Sequence, residues 1–203
     1  MTPGTAYLID DDDAIRDALA WLLRSRNVDA QAWSSAESFL SEYSTSMRGC
    51  IVLDIRMRTM SGLECFDALQ KQACSLPVIF LTGHGDVPQA VQAIKNGAFD
   101  FIEKPFNDND LADRIIGALE HDDRCHRARK TDASLEARLQ SLTARELEVM
   151  ERVLAGKFNK VIADELNIAM RTVEVHRSHV FEKMGVRSAI ELAQLLAARG
   201  RQT

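Results

Sequence analysis

The chain has 203 residues, 46% hydrophobic and 27% charged, with a formal net charge of -5, enough for two domains with a core each. The longest apolar runs are strand-length, and Met1 leads through Ala6-Tyr-Leu-Ile9 into four aspartates without a basic region or cleavage site, so no membrane span or export signal is expected. Residues 1–121 carry 10 Lys/Arg against 18 Asp/Glu, residues 122–133 carry 4 against 3, and residues 134–203 carry 11 against 9, so the weakly basic C-terminal end permits nucleic-acid binding without demonstrating it.

Strand and helix signals alternate over the first 120 or so residues. Ala6-Tyr-Leu-Ile9 is an apolar run suited to a strand buried on both faces of a parallel sheet. Ile15, Ala18, Leu19, Leu22 and Leu23 follow at helical spacing. The less apolar Asp29–Trp33 suits an edge strand, and Ser34-Ser-Ala-Glu37 reads as a capping box opening a second helix. Cys50-Ile-Val-Leu53 is the third strand; Leu63, Phe66 and Leu69 mark the third helix. Val78-Ile-Phe-Leu81, then Val87, Val91 and Ile94, then Phe99–Ile102, then Leu111, Ile115 and Leu119 complete five βα units. Residues 122–137 are charged and read as a linker, or as the exposed end of the preceding helix. Beyond them the period is purely helical, which sets domains at 1–121 and 138–203, the second small and all-α. Cys50, Cys65, Cys74 and Cys125 form no Cys-x-x-Cys pair and read as reduced thiols, in keeping with the cytoplasm.

The polar residues follow the strands. Asp10 and Asp11 come after the first, Asp54 after the third, Thr82 after the fourth and Lys104 just beyond the fifth. In an open parallel sheet these positions converge outside the carboxyl ends of the strands, where ligands bind. Clustered carboxylates suit a hard, oxygen-binding cation, and Mg²⁺ fits best beside phosphate. A carboxylate can also attack phosphorus to give an aspartyl phosphate, with a metal and a lysine neutralising the equatorial oxygens. Asp12 and Asp13 read as the start of a helix, where negative charge is favourable. His84, in Gly83-His-Gly85, reads as a loop residue, because the phosphate-loop pattern is missing.

Asp10-Asp11, Val52-Leu-Asp54, Met60-Ser-Gly62, Leu81-Thr82-Gly83 and Lys104-Pro105 resemble, in order and spacing, the receiver domain of two-component response regulators. The resemblance implies a flavodoxin-like fold, a five-stranded parallel doubly wound sheet flanked by helices, with Lys104-Pro105 cis. It implies Asp54 as phospho-acceptor, Mg²⁺ held by Asp10, Asp11, Asp54 and the Arg56 carbonyl, and Thr82 and Lys104 on the phosphoryl oxygens. It further implies that Phe101 switches inward and that Val87, Val91, Ile94 and Lys95 lie on a face that pairs in a homodimer. Arg58 stands where receivers usually carry proline, and a cation there is expected to alter phosphate lifetime.

In the C-terminal part, Thr143-Ala-Arg-Glu146 reads as a capping box, and Asn159–Leu166, a turn, and Met170–Met184 form a helix-turn-helix. At about 100° per residue Val173, Val180 and Met184 point inward, and Arg171, Val175, Ser178 and Glu182 outward. Glu174, Val175 and Ser178 are candidate base readers; Lys160, Arg171, Thr172, Arg177 and Lys183, with Asn159 beside them, are candidate contacts to the DNA backbone. His176 and His179 read as packing or flanking residues. Leu142-Thr-Ala-Arg-Glu146, Asn159-Lys160, Thr172–His176, Lys183-Met184 and Val186 resemble the LuxR-type DNA-binding domain, and the whole chain is similar to FixJ-like members of the NarL/FixJ class. Ala169 departs from the serine frequent before the recognition helix.

The resemblance implies a sensor histidine kinase as phosphodonor, homodimerisation on phosphorylation, promoter sites in double-stranded DNA, RNA polymerase as a further partner, and activation of transcription. No independent enzymatic turnover is expected. A phosphohydrolase forming the same aspartyl phosphate needs a second aspartate two residues after the nucleophile, and that position is Arg56. A partner-binding module that has lost either function is disfavoured by the retained Asp54, Thr82 and Lys104 and by the polar outer face of the second helix.

Overall fold

The computed structural model describes residues 4–83 and 87–199, without the side chains of Val87, Ala90, Ala198 and Arg199. His84 therefore lies outside the described residues, as does the side chain of Val87. The chain divides into two units, residues 1–127 and 128–203.

In the first unit the alternation of strand and helix signals becomes β1 (Thr5–Ile9), α1 (Asp13–Ser25), β2 (Asp29–Trp33), α2 (Ala36–Glu42), β3 (Gly49–Asp54), α3 (Gly62–Lys71), β4 (Val78–Thr82), α4 (Val87–Lys95), β5 (Asp100–Glu103) and the start of α5 (Asp108–Gln140). All neighbouring strands are parallel, in the order β2-β1-β3-β4-β5, so the less apolar β2 is an edge. Successive strand residues face opposite ways. Tyr7, Ile9, Ile51, Leu53 and Phe80 therefore pack with α2, α3 and α4, while Ala6, Leu8, Val52, Ile79 and Leu81 pack with α1 and α5. Burial pushes the Cys50 and Cys65 thiols up to about 12, which holds both as inert thiols. Lys104-Pro105 is cis.

Caps set where several helices begin. Asp12 caps α1 by accepting from Ala14 N at 2.8 Å, the helix-starting role expected of it. The expected box over Ser34–Glu37 does not form: Ser35 is the N-cap of α2 and accepts from Ser38 N, one residue later than read. A box that the sequence reading missed, Ser61 with Glu64, opens α3.

Residues 122–137 are helical, all within α5, in line with the alternative that they continue the preceding helix. Asp122 is 4% exposed, and its carboxylate accepts from Arg48 Nε at 2.8 Å and Gly49 N at 3.0 Å. Leu135, expected in the linker, is buried in the second unit's core. The charge run hid both anchors, because one buried acid among exposed ones has no periodicity.

The second unit adds α6 (Ala144–Leu154), α7 (Asn159–Leu166), α8 (Met170–Met184) and α9 (Ala189–Arg199). Val149, Val153, Ile162, Leu166, Val173, Val180, Met184 and Leu192 form its core. Thr143 and Glu146 make the expected box. Asn167 and Gly185 end α7 and α8 in left-handed conformations. Ala169 offers no side-chain cap to α8. Ala169→Ser, at the extended φ of -69° and ψ of 146°, is expected to stabilise this unit by about 1 kcal/mol. Slower hydrogen exchange of α8 amides would register that gain, and unchanged protection would refute it. No helix among the described residues is long and apolar enough to cross a membrane.

Candidate functional site

At the carboxyl edge of the sheet, β1 delivers Asp10 and Asp11, β3 ends on Asp54, β4 ends on Thr82, and β5 leads to Lys104. Register enforces the convergence: Asp54 pairs with Leu81, and Lys104 N donates to Thr82 O at 2.7 Å. One carboxylate oxygen from each of Asp10, Asp11 and Asp54 lies within 4.8 Å of the others, a set able to hold a metal ion. Asp10 and Asp54 are buried, and Lys104 Nζ donates to Asp10 Oδ2 and Asp54 Oδ1, both at 2.8 Å.

Burial raises the Asp54 pKa; Lys104 pulls it back, and Asp10 adds to the rise. Burial also lowers that of Lys104, but its bonds to Asp10 and Asp54 outweigh this and leave it raised. The lysine is thus held charged between two acids. Thr82 is fully buried, and its Oγ1 has no hydrogen-bond partner among the described residues. An orphaned hydroxyl costs free energy, and it persists most readily where a ligand completes it.

Three further features support the site, and two of them, Arg58 as a nearby cation and Gly62 as a motif residue, were singled out in the sequence. Arg16, one turn into α1, donates to the Asp10 carbonyl at 2.6 Å. Arg58 Nε lies 3.3 Å from Asp11 Oδ2. Gly62 opens α3 so close to Asp54 that an added Cβ would fall 2.2 Å from the Asp54 carbonyl oxygen. The sequence marks Arg58 and Gly62 but not the atoms they meet, and gives no sign of Arg16, because each partner is supplied by another element.

Of the expected switch and pairing residues, Phe101 is partly buried against the core on the α4 side. Val91 and Lys95 are exposed, whereas Ile94 packs into that core and is less available to a partner than expected.

The helix-turn-helix places Val173, Val180 and Met184 inside, and Arg171, Thr172, Glu174, Val175 and Ser178 outside. Asn159 and Lys160 open α7. Arg171 pairs with Glu174 at 3.3 Å. Arg177 is half-buried: its Nη1 donates to Asn159 Oδ1 at 2.7 Å and its guanidinium lies 5.6 Å from the Phe181 ring centre, so α7 aims it. Lys183 points elsewhere. Its ammonium donates to Glu146 Oε2 at 2.6 Å and to Ser141 O at 3.0 Å, which makes it a poor candidate for a phosphate. His179 Nδ1 lies 3.5 Å from Glu146 Oε1, a flanking position, and His176 is half-buried.

A sheet edge that gathers three carboxylates, an orphaned threonine hydroxyl and a lysine, on a chain that also carries a helix-turn-helix, defines a receiver joined to a DNA-binding domain. Residues 6–116 match the response regulator receiver domain, and residues 140–196 match the bacterial regulatory proteins of the luxR family. The chain is 48% identical over 194 residues to the C4-dicarboxylate transport transcriptional regulatory protein DctR of Rhodobacter capsulatus, covering 94% of this chain and 98% of that one. It is 40% identical over 199 residues to the transcriptional regulatory protein FixJ of Bradyrhizobium diazoefficiens, covering 98% and 97%. The structure of the response regulator StyR superposes with a TM-score of 0.90 at 39% identity, over 98% of this chain and 100% of that one. The chain belongs to the two-component response regulators with a LuxR-type DNA-binding domain, in the FixJ-like group.

Proposed function

We propose that this regulator is switched by phosphorylation of Asp54 by a partner histidine kinase, dimerises through its α4–β5–α5 face, and activates transcription in the cytoplasm. The observation that carries the reading is the buried Thr82 hydroxyl beside the Asp54 edge, which has no partner among the described residues. A phosphoryl oxygen on Asp54 would complete it, and Lys104 Nζ, already bonded to Asp54, would neutralise another.

The clustered oxygen donors suit Mg²⁺, which Asp10, Asp11, Asp54 and the Arg56 carbonyl would hold. Bound there, the ion would draw charge from the transferring phosphoryl oxygens. Drawing Thr82 toward the phosphoryl group would leave room for Phe101 to turn inward, reshaping the face that carries Val87, Val91, Ile94 and Lys95. Two paired chains would present two α8 helices to adjacent half-sites.

On DNA, Glu174, Val175 and Ser178 are the proposed base readers, since a glutamate accepts from cytosine and a valine meets a thymine methyl. Lys160, Arg171, Thr172 and Arg177 would grip phosphates, with Asn159 orienting Arg177. RNA polymerase is the proposed downstream partner.

The test is to give the full chain Mg²⁺ and a small phosphodonor, and to follow intact mass, oligomeric state and binding to DNA selected from random sequence. One phosphoryl group is expected on wild type, with dimerisation and tighter DNA binding, and all three should be lost in Asp54→Asn. A wild type that gains no phosphoryl group refutes the switch. Steady turnover of an unrelated phosphate ester would favour a hydrolase instead.

A further inference from the structure

We propose that Arg58 competes with the divalent cation for Asp11, so that this chain binds Mg²⁺ more weakly than its carboxylates alone would allow; the inference rests on the metal reading above. Arg58 lies on the loop between β3 and α3, and its Nε sits 3.3 Å from Asp11 Oδ2. Asp10 and Asp54 share one cation, the Lys104 ammonium. Asp11, the third carboxylate of the cluster, takes the second.

The two cations are held differently. Lys104 is 24% exposed and fixed between two buried carboxylates, whereas the Arg58 side chain is 87% exposed and its Asp11 partner 26%. An exposed ion pair is weak, so a metal can displace the guanidinium. It is still a cost, because a divalent ion must take an oxygen from Arg58 and then sit near a positive charge. Salt weakens the competition, since a pair this exposed is screened.

The experiment counts free Mn²⁺ by electron paramagnetic resonance over the full chain at low ionic strength, with Mg²⁺ as competitor. Wild type is compared with Arg58→Ala, Arg58→Glu, Arg58→Lys and Arg129→Ala, the last removing one exposed cation from the second unit. Arg58→Ala should tighten both ions by about two- to five-fold, by the worth of an exposed pair. Arg58→Glu should tighten them further, Arg58→Lys should stay near wild type, and Arg129→Ala should change nothing. The gap should close at about 0.5 M salt, where the Debye length is only a few ångströms. Arg58→Ala binding metal no more tightly than wild type overturns the proposal, even where wild type binds metal and gains a phosphoryl group, in which case the switch stands. Failure of every variant to bind either ion overturns the proposal and the metal reading together.

Discussion

Gly62→Ala is expected to destabilise the first unit by about 3 kcal/mol and to impair phosphoryl acceptance at Asp54. The new Cβ would lie 2.2 Å from the Asp54 carbonyl oxygen and 3.1 Å from Ile55 Cα, both backbone atoms, so no rotamer relieves the clash. Either α3 must back away, breaking the Gly62 N to Ile55 O bond of 3.0 Å, or the end of β3 must shift and carry the Asp54 carboxylate with it. Overpacking against a rigid core costs roughly 1–3 kcal/mol, and backbone against backbone lies at the upper end. A fall in Tm of roughly 10 °C follows for a unit of this size. Trp21 and Trp33 both lie in the first unit, so tryptophan fluorescence reports on it alone. Gly117→Ala is the control with the opposite sign. It lies inside α5 with nothing within 4 Å of the added Cβ, and alanine there should stabilise by about 0.5–1 kcal/mol. Equal melting of Gly62→Ala and wild type would show that α3 yields freely and that the glycine is not required.

Glu146→Ala is expected to cost the second unit about 1–2 kcal/mol, through loss of a helix cap and of an ion pair whose lysine is 34% exposed at its side chain and can turn to water. Glu146 is 5% exposed at its side chain. It accepts from Lys183 Nζ at 2.6 Å and from Thr143 N at 2.8 Å, so it closes the cap of α6 and ties that helix to the end of α8. Without it, the Lys183 ammonium keeps only the Ser141 carbonyl, and the α6 N-terminus loses an acceptor. The same contacts set a pH dependence. Lys183 and then the Thr143 amide pull the Glu146 pKa from 4.5 down to about 2. A depressed carboxylate stabilises the folded state above its unfolded pKa, and the contribution fades as pH falls from about 4.5 toward about 2. Hydrogen exchange at α6 and α8 amides should show protection falling through that window in wild type and lying low and flat there in Glu146→Ala. Protection in wild type that is independent of pH over the window would count against the pair.

The helix-turn-helix face is exposed to the second of these effects directly, because α8 carries the proposed readers Glu174, Val175 and Ser178. A loosened α6–α8 joint should therefore weaken DNA binding evenly across sequences rather than shift preference at one base.

Periodicity and spacing place the strands, most helices and the sheet edge at which Asp10, Asp11, Asp54, Thr82 and Lys104 gather. Strands buried on both faces read as unbroken apolar runs, so β1, β3 and β4 were visible, as was the edge character of β2. Asp10, Asp54, Thr82 and Lys104 could be placed because each ends or follows a strand, and strand ends in a parallel sheet share one edge. Thr143 and Glu146 were legible as a local cap, whereas the shift of the α2 cap from Ser34 to Ser35 turned on one backbone conformation.

The remaining features were decided by partners far away in sequence. Lys183 and Glu146 are 37 residues apart, Arg48 and Asp122 are 74 apart, and Lys104 and Asp10 are 94 apart. A charged side chain looks the same in a sequence whether it faces water, a phosphate or a buried carboxylate. Hence Lys183 read as a DNA contact and Asp122 as linker, while the pairing of Arg58 with Asp11 and the backbone atoms that demand glycine at position 62 left no mark. Local pattern specifies which face of an element is apolar; only the packed fold specifies which polar group from another element arrives opposite it.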